Sequence, residues 1–228
     1  MSGLAVALEA KQFGERAVLG PIRFEIPPGE RVALLGPSGI GKSTLLALIA
    51  GTEPDLQGRI ERPAGRIAMV FQTPRLLPWR TLLENVLLVP GAGGEAHARA
   101  LLAQVGLGEA ADQHPEKVSL GMQRRAALAR AMAIEPALVL MDEPLVSLDP
   151  ASAAEMRRLL VAMLDRTGAA ALIATHDRGE ALALADRVLM MGGQPATITS
   201  DRRSPLDRSR RADPAAVRAQ QDAWFGHG

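Results

Sequence analysis

The chain has 228 residues, 47% of them hydrophobic and 3% aromatic, with no Tyr and no Cys. That is enough apolar material for one large domain with a core of Ala, Leu, Val, Ile and Met, while the formal charge of +1 argues against a general nucleic-acid binder and the lack of Cys excludes disulfides and thiol chemistry. The first residues lack the basic start and long apolar segment of a signal peptide, and no run reaches the roughly 18 apolar residues that span a bilayer, so membrane association is expected to pass through a partner.

Residues 4–10 and 18–26 read as strands of a β-rich flap, punctuated by Gly14, Gly20-Pro21 and Pro27-Pro28-Gly29. Phe13 falls in the first connection, where a ring can stack on an adenine face, although an ordinary half-buried Phe fits the same pattern. The apolar run Arg31-Val32-Ala33-Leu34-Leu35 then leads into Gly36-Pro37-Ser38-Gly39-Ile40-Gly41-Lys42-Ser43-Thr44, followed by an apolar helical pattern over 45–50. Strand, glycine-rich loop and helix, in that order, are the context that makes G-x-x-x-x-G-K-[ST] a phosphate loop. Gly36, Gly39 and Gly41 let successive N–H groups converge on phosphate oxygens, and the helix adds its positive end. Lys42 is expected to reach the β- and γ-phosphates and Ser43 to ligate Mg²⁺, with Thr44 facing phosphate or helix packing. Among 26 Lys+Arg residues the only lysines are Lys11, Lys42 and Lys117, which singles out a compact point charge at this position.

After the loop helix come a short strand at 58–61 and a buried strand at 66–71 that ends at Gln72. The character then changes. Residues 73–80 are irregular and partly apolar, Thr81 with Glu84 forms a capping box for a helix over 82–88, residues 90–94 are a glycine-rich break, and 95–105 is an amphipathic helix. Alternation resumes with strands at 137–141, 169–174 and 187–191 and helices at 150–166 and 179–185. The expected fold class is therefore α/β: a mixed, mostly parallel sheet with an antiparallel β-subdomain and an inserted α-helical subdomain. One domain is expected over residues 1–228, with a catalytic core at 1–72 and 126–200, a helical subdomain at 73–125 and an Arg-rich tail with a helix at 201–228. That tail reads as packed on its own domain, since acidic residues are interleaved; contact with anionic lipid is the alternative.

In such a sheet ligands sit at the carboxyl ends of the strands. Gln72, Asp142-Glu143 and His176 each end a strand, at the same edge as the phosphate loop. Asp142 is expected to support Mg²⁺ beside Ser43, and Glu143 to face the place where water attacks the γ-phosphate, making hydrolysis the expected reaction. Gln72 and His176 are placed to contact the metal-bound water and the γ-phosphate. Ser119 reads as the N-cap of a helix over 126–134, a second anion site that makes sense if the anion belongs to a nucleotide held by another chain.

Together these motifs resemble the nucleotide-binding subunit of ATP-binding-cassette transporters, over residues 13–191. The resemblance rests on the phosphate loop, Gln72, the segment Val118-Ser119-Leu120-Gly121-Met122-Gln123-Arg124-Arg125, the strand ending Asp142-Glu143-Pro144, Ser147-Leu148-Asp149 and His176. It implies ATP and Mg²⁺ as cofactors, Glu143 as catalytic base, Ser119, Gly121 and Asp149 at a head-to-tail ATP-sandwich homodimer, and Phe13 on adenine. Residues 71–86 are similar to the branch serving importers of nitrate, taurine, aliphatic sulfonates or pyrimidine precursors. That implies a separate membrane permease contacted near residues 76–85, indirectly a solute-binding protein, no nucleic acid, and a peripheral place on the cytoplasmic face of the inner membrane. The signature departs from Leu-Ser-Gly-Gly: Leu120 stands where the first Gly is usual, with an expected strain of about 1–2 kcal/mol if the backbone there is left-handed. A soluble non-transport cassette ATPase and a regulatory ATP-binding module with weak turnover stay open as alternatives at this stage.

Overall fold

The computed structural model describes residues 3–89, 91 and 93–226. Pro90 and Ala92 of the expected glycine-rich break lie outside the described residues, as do Met1 and Ser2.

The N-terminal third builds an antiparallel sheet. Strand β1 (Leu4–Phe13) pairs with β3 (Ile22–Ile26) along one edge and β5 (Gln57–Glu61) along the other, and its far end pairs with β2 (Arg16–Leu19) through a ladder that is irregular at Lys11/Gln12. In β3 the residues alternate, Ile22, Phe24 and Ile26 buried and Arg23 and Glu25 exposed, as a period of two requires when one face meets a core. Phe13 is the last residue of β1 rather than part of a connection.

The second sheet has the order β10-β9-β4-β8-β7-β6. Its parallel members are β4 (Arg31–Leu35), β6 (Ile67–Val70), β7 (Leu138–Asp142), β8 (Ala170–Thr175) and β9 (Arg187–Gly192). Central strands β4 and β8 are buried at every residue, which explains why they read as unbroken apolar runs. The edge strand β10 (Thr197–Arg203) is antiparallel to β9 and was not expected, because its polar, mostly exposed Ser200-Asp201-Arg202-Arg203 reads as tail. The boundary placed at 200/201 therefore cuts a strand. Likewise the boundary at 125/126 cuts helix α4 (Leu120–Met132), which packs on both the helical layer and the sheet.

The remaining helices are α1 (Lys42–Ala50), α2 (Leu82–Leu87), α3 (Gly94–Gln104), α5 (Pro150–Thr167), α6 (Arg178–Leu184) and α7 (Pro214–Phe225). Thr81 and Glu84 close the capping box at α2, Ser119 caps α4 through Met122 N, and Asp213 caps α7 ahead of Pro214. One apolar cluster joins α2 to α5 with one face of the sheet, a second joins β1, β3 and α1 to the other face, and a third lies under α6 and α7.

The irregular segment 73–80 is held from beneath. Asn85, fully buried, accepts from Leu77 N at 2.7 Å and donates to the carbonyls of Leu77, Arg80 and Thr81, while Arg130 donates to the carbonyls of Pro74 and Arg75. Leu76 packs against the helical core and Leu77 is half-buried, so within the partly apolar segment 73–80 the large exposed side chain is Trp79, 68% exposed, beside exposed Pro78. Asn85 positions this surface and is not part of it.

Four arginines of the C-terminal segment are engaged. Arg208 and Arg211 both bond the Asp186 carboxylate, at 2.6 and 2.7 Å, Arg203 pairs with Glu30, and Arg202 lies over the Trp224 ring. Burial opposes ionisation of Asp186, yet hydrogen bonds from Arg208, the Arg31 N–H and Arg211 hold its carboxyl far below the usual carboxylate range. The tail is thus built into the domain, which leaves the reading of lipid contact through these side chains without support.

Candidate active site

The phosphate loop leaves the centre of the parallel sheet, between β8 and β9. Gly36 N bonds Thr175 O at 3.2 Å, fixing the loop's first residue to the strand that ends at His176. A Cβ on Gly36 would crowd Met191 O at 3.1 Å, and Gly41, at φ 116°, has the Leu19 side chain 2.7 Å from where a Cβ would stand. Gly41 needs glycine on both grounds, while a side chain at Gly36 would require its neighbours to give by a few tenths of an ångström. Gly41 caps α1 without a side-chain acceptor, so the first-turn N–H groups lack the partner that a Ser or Asp cap supplies to other helices of this chain. An anion is their natural acceptor.

Lys42 is 4% exposed and bends back over its own loop, donating to Gly36 O at 2.7 Å and Pro37 O at 3.1 Å and lying 3.2 Å from Glu143 Oε1. The other carboxylate oxygen, Oε2, meets His176 Nδ1 at 2.7 Å. A carboxylate only accepts, so the proton of this bond belongs on Nδ1 and Nε2 remains for another contact. Glu143 itself has a left-handed backbone, φ 49°, and its N–H bonds Ala174 O; Ser147, four residues on, is also left-handed at φ 59°. Non-glycine residues in this region carry strain of about 1–3 kcal/mol, which concentrates at functional sites.

Asp142 ends β7 and accepts from Ser43 Oγ at 3.0 Å. Burial pushes the Asp142 carboxyl above its ordinary range, and the Glu143 charge adds to this, while the Ser43 hydrogen bond and the Lys42 and Arg75 charges oppose it. A hydroxyl, a half-buried carboxylate and the nearby Gln72 carboxamide are hard oxygen donors, the set that suits Mg²⁺. No cluster of His, Cys, Asp and Glu alone forms a metal site among the described residues.

Lys42, Ser43, Gln72, Glu143 and His176 border a cleft of about 460 Å³, lined further by Ser38, Gly39, Gly41, Thr44 and Val146; Gly36, Pro37 and Asp142 are not among its lining residues. Arg16 and Val18, from β2, line it too and escaped the sequence reading, which offered no signal beyond their place in the flap. Phe13, 49% exposed, is not among the lining residues although it pairs with Arg16 across the hairpin; its ring lies 4.5 Å from Lys11 Nζ. Ile40 turns instead to the apolar core.

Ser119, Gly121 and Asp149 stand outside the cleft. Asp149 caps α5, accepting from Ala151 N and Ser152 N, and the Ser152 hydrogen bonds hold its carboxyl below the usual range. Leu120 is the first residue of α4, is 51% exposed, and is absent from the left-handed non-glycine residues Arg75, Glu135, Glu143 and Ser147. The strain expected for Leu120 does not exist, because the first turn of a helix asks for ordinary right-handed backbone.

Behind His176, Glu180 is 92% buried, being 8% exposed, and accepts from the Thr175 hydroxyl at 2.7 Å. Burial raises its pKa to about 7, with the Asp177 and Glu143 charges adding to the effect and Thr175 opposing it. The folded state therefore binds a proton more readily than the unfolded chain, and stability falls as pH rises from about 4.5 to about 7. Glu180→Gln keeps the Thr175 acceptor and removes the charge. It should stabilise the protein by on the order of 1–3 kcal/mol at pH 8 and little at pH 5, read from denaturant midpoints; equal effects at both pH values would show that Glu180 titrates normally.

A profile of the ABC transporter family matches residues 19–146, more than half of the chain. Curated relatives include the aliphatic sulfonates import ATP-binding protein SsuB 2 of Pseudomonas syringae pv. tomato, 40% identical over 96% of this chain and 95% of that protein. SsuB 1 of Xanthomonas axonopodis pv. citri is 41% identical over 97% and 94%, and SsuB 2 of Paracoccus denitrificans 42% over 99% and 92%. A solved structure of the ATP-binding cassette MJ0796, a dimer in a post-hydrolysis state bound to ADP and Pi, superposes with a TM-score of 0.75, at 26% identity over 91% of this chain and 100% of that one. With a glycine cradle, a buried lysine and an Asp-Glu strand end meeting in one cleft, the chain belongs to the ABC transporter family, as one of its ATP-binding, ATP-hydrolysing proteins.

Proposed function

We propose that this protein is the motor of an importer for aliphatic sulfonates, closing as an ATP-sandwich homodimer beneath a separate permease on the cytoplasmic face of the membrane. The observation that carries the solute assignment is identity of about 40% over nearly the whole chain to proteins that bear this role in their names. No helix of the described residues is long and apolar enough to cross a membrane, so the path for the solute belongs to another chain. The dimeric state of the similar MJ0796 cassette supports the sandwich. Ser119, Leu120 and Gly121 would then meet the nucleotide of the second copy, with Asp149 at the same junction.

Ser43, Asp142 and Gln72 would hold Mg²⁺, which supplies charge neutralisation at the β- and γ-phosphates. The chain's own residues do the rest. The first-turn N–H groups of α1 bind the phosphates, and Lys42 turns from its own carbonyls to the terminal phosphate. That movement also frees Glu143 Oε1, which then takes a proton from, or orients, the attacking water, while His176 holds Oε2 in place. Trp79, on the segment pinned by Asn85, fits the permease contact.

Uptake of a labelled short-chain alkanesulfonate by cells deleted for this gene should fall to background and return with the wild-type gene, and only weakly with Trp79→Ala. Unchanged uptake in the deleted cells would overturn the solute assignment.

A further inference from the structure

A larger cleft, of about 950 Å³, lies between α5, α6 and the C-terminal segment that carries α7. Its walls include the apolar side chains of Leu148, Val161, Leu184 and Val217, and over them stand Arg157 and Arg158 from α5 and Arg218 from α7. None of these three arginines has a hydrogen bond or ion pair among the described residues. The lining carboxylates, in contrast, are engaged: Asp165 pairs with Arg31, Asp177 accepts from Glu180 N, and Glu143 meets Lys42 and His176. Two further polar atoms of lining residues, Glu180 Oε1 and Arg31 Nε, are buried without a partner. The uncompensated charge around the cleft is therefore cationic, and it stands beside an apolar surface.

We infer that this cleft binds a small amphiphilic anion, a compact oxyanion head on a short aliphatic stem, with the head on Arg157 and Arg218 and the stem against Val161 and Val217. An isolated inorganic anion leaves the apolar wall uncovered, and a neutral alkyl group leaves the arginines unpaired, so both halves are needed. An alkanesulfonate has this chemistry. In that form the inference rests on the importer reading and makes the imported class a ligand of its own motor.

The position of the cleft gives the ligand a lever. Glu143, Val146 and His176 border both this cleft and the phosphate-loop cleft. A ligand packed against the 145–148 loop restrains the segment that carries Glu143, and so disfavours the shift of its carboxylate toward the attacking water, without touching Lys42 or the phosphate loop. Turnover falls while the nucleotide site stays open.

Titration calorimetry of the full chain with hexanesulfonate, without nucleotide, tests this beside ATPase assays. Wild type should bind, the Arg157→Ala/Arg218→Ala variant should bind about tenfold or more weakly, and sulfate and hexanol, each half of the ligand, should bind less well than hexanesulfonate. Hexanesulfonate should lower kcat in wild type without raising KM for ATP, and should not do so in the variant. Absence of binding by a wild-type chain that still hydrolyses ATP would overturn the site and leave the importer reading standing; binding that ATP displaces, or that the double substitution leaves intact, would overturn it as well. Hexanoate binding as tightly as hexanesulfonate would keep the anion site and remove its preference for sulfonates. Cleft binding in a protein whose deletion leaves alkanesulfonate uptake unchanged would sink the importer reading alone.

Discussion

Glu143→Gln should lower ATP turnover by a factor of about 10² to 10⁴, the range expected when a positioned general base is lost, while ATP binding persists. The geometry explains why the two effects separate. Gln is isosteric and keeps an oxygen near His176, so the strained backbone at φ 49° need not move. It cannot take a proton from water. It also dissolves the 3.2 Å ion pair with Lys42, which in the present arrangement competes with phosphate for the lysine. ATP affinity should therefore be unchanged or higher, and under saturating Mg-ATP the variant should accumulate as a dimer by light scattering or size exclusion. A variant that stays monomeric while binding ATP would count against the sandwich, and one that turns over at the wild-type rate would remove Glu143 from the chemistry.

Much of this site was legible because the residues that build it obey local rules. Gly36, Gly41 and Lys42 are fixed by spacing within one loop, and Asp142, Glu143 and His176 by their position at the ends of apolar runs. Parallel topology does the rest: it brings Ser43 and Asp142, 99 residues apart in sequence, within 3.0 Å. What stayed illegible depends on partners that no pattern announces. Strand β10 exists because β9 and the Arg187–Asp201 bonds hold it, although its composition says tail. Asn85 is a polar residue at a fully buried position because the backbone of 77–81 needs its amide. Arg208 and Arg211 face inward because Asp186, just before β9, is there to receive them. Phe13 and Arg16 sit three residues apart, and hairpin geometry alone decides that Arg16, and not Phe13, lines the cleft. Leu120 misled because its unusual identity was judged by the glycine it replaces, whereas the backbone there is simply the first turn of α4.

Lys42→Ala should weaken ATP binding by about 2–5 kcal/mol, or roughly 30- to 5,000-fold, the usual loss when one member of a buried, hydrogen-bonded charge pair is truncated. Two separate deficits add here. The terminal phosphates lose a buried cation, and Glu143, whose side chain is only 12% exposed, keeps its charge with His176 as its remaining partner. The second deficit is present without nucleotide and should appear as lower stability. Lys42→Arg is not a remedy, since a planar guanidinium cannot occupy the space beneath the carbonyls of Gly36 and Pro37 that the ammonium fills at 2.7 and 3.1 Å. The Lys42→Ala/Glu143→Gln double variant distinguishes the two deficits: removing the stranded carboxylate should restore stability toward wild type, while ATP affinity stays low because the cation is still missing. Stability that is non-additive, with ATP affinity in the double variant as low as in Lys42→Ala alone, measured as a double-mutant cycle by denaturation and by nucleotide titration, is the expected result. Strictly additive stability would mean that the Lys42 and Glu143 charges do not interact in the resting protein, and the release of Glu143 by the movement of Lys42 toward phosphate would lose its basis.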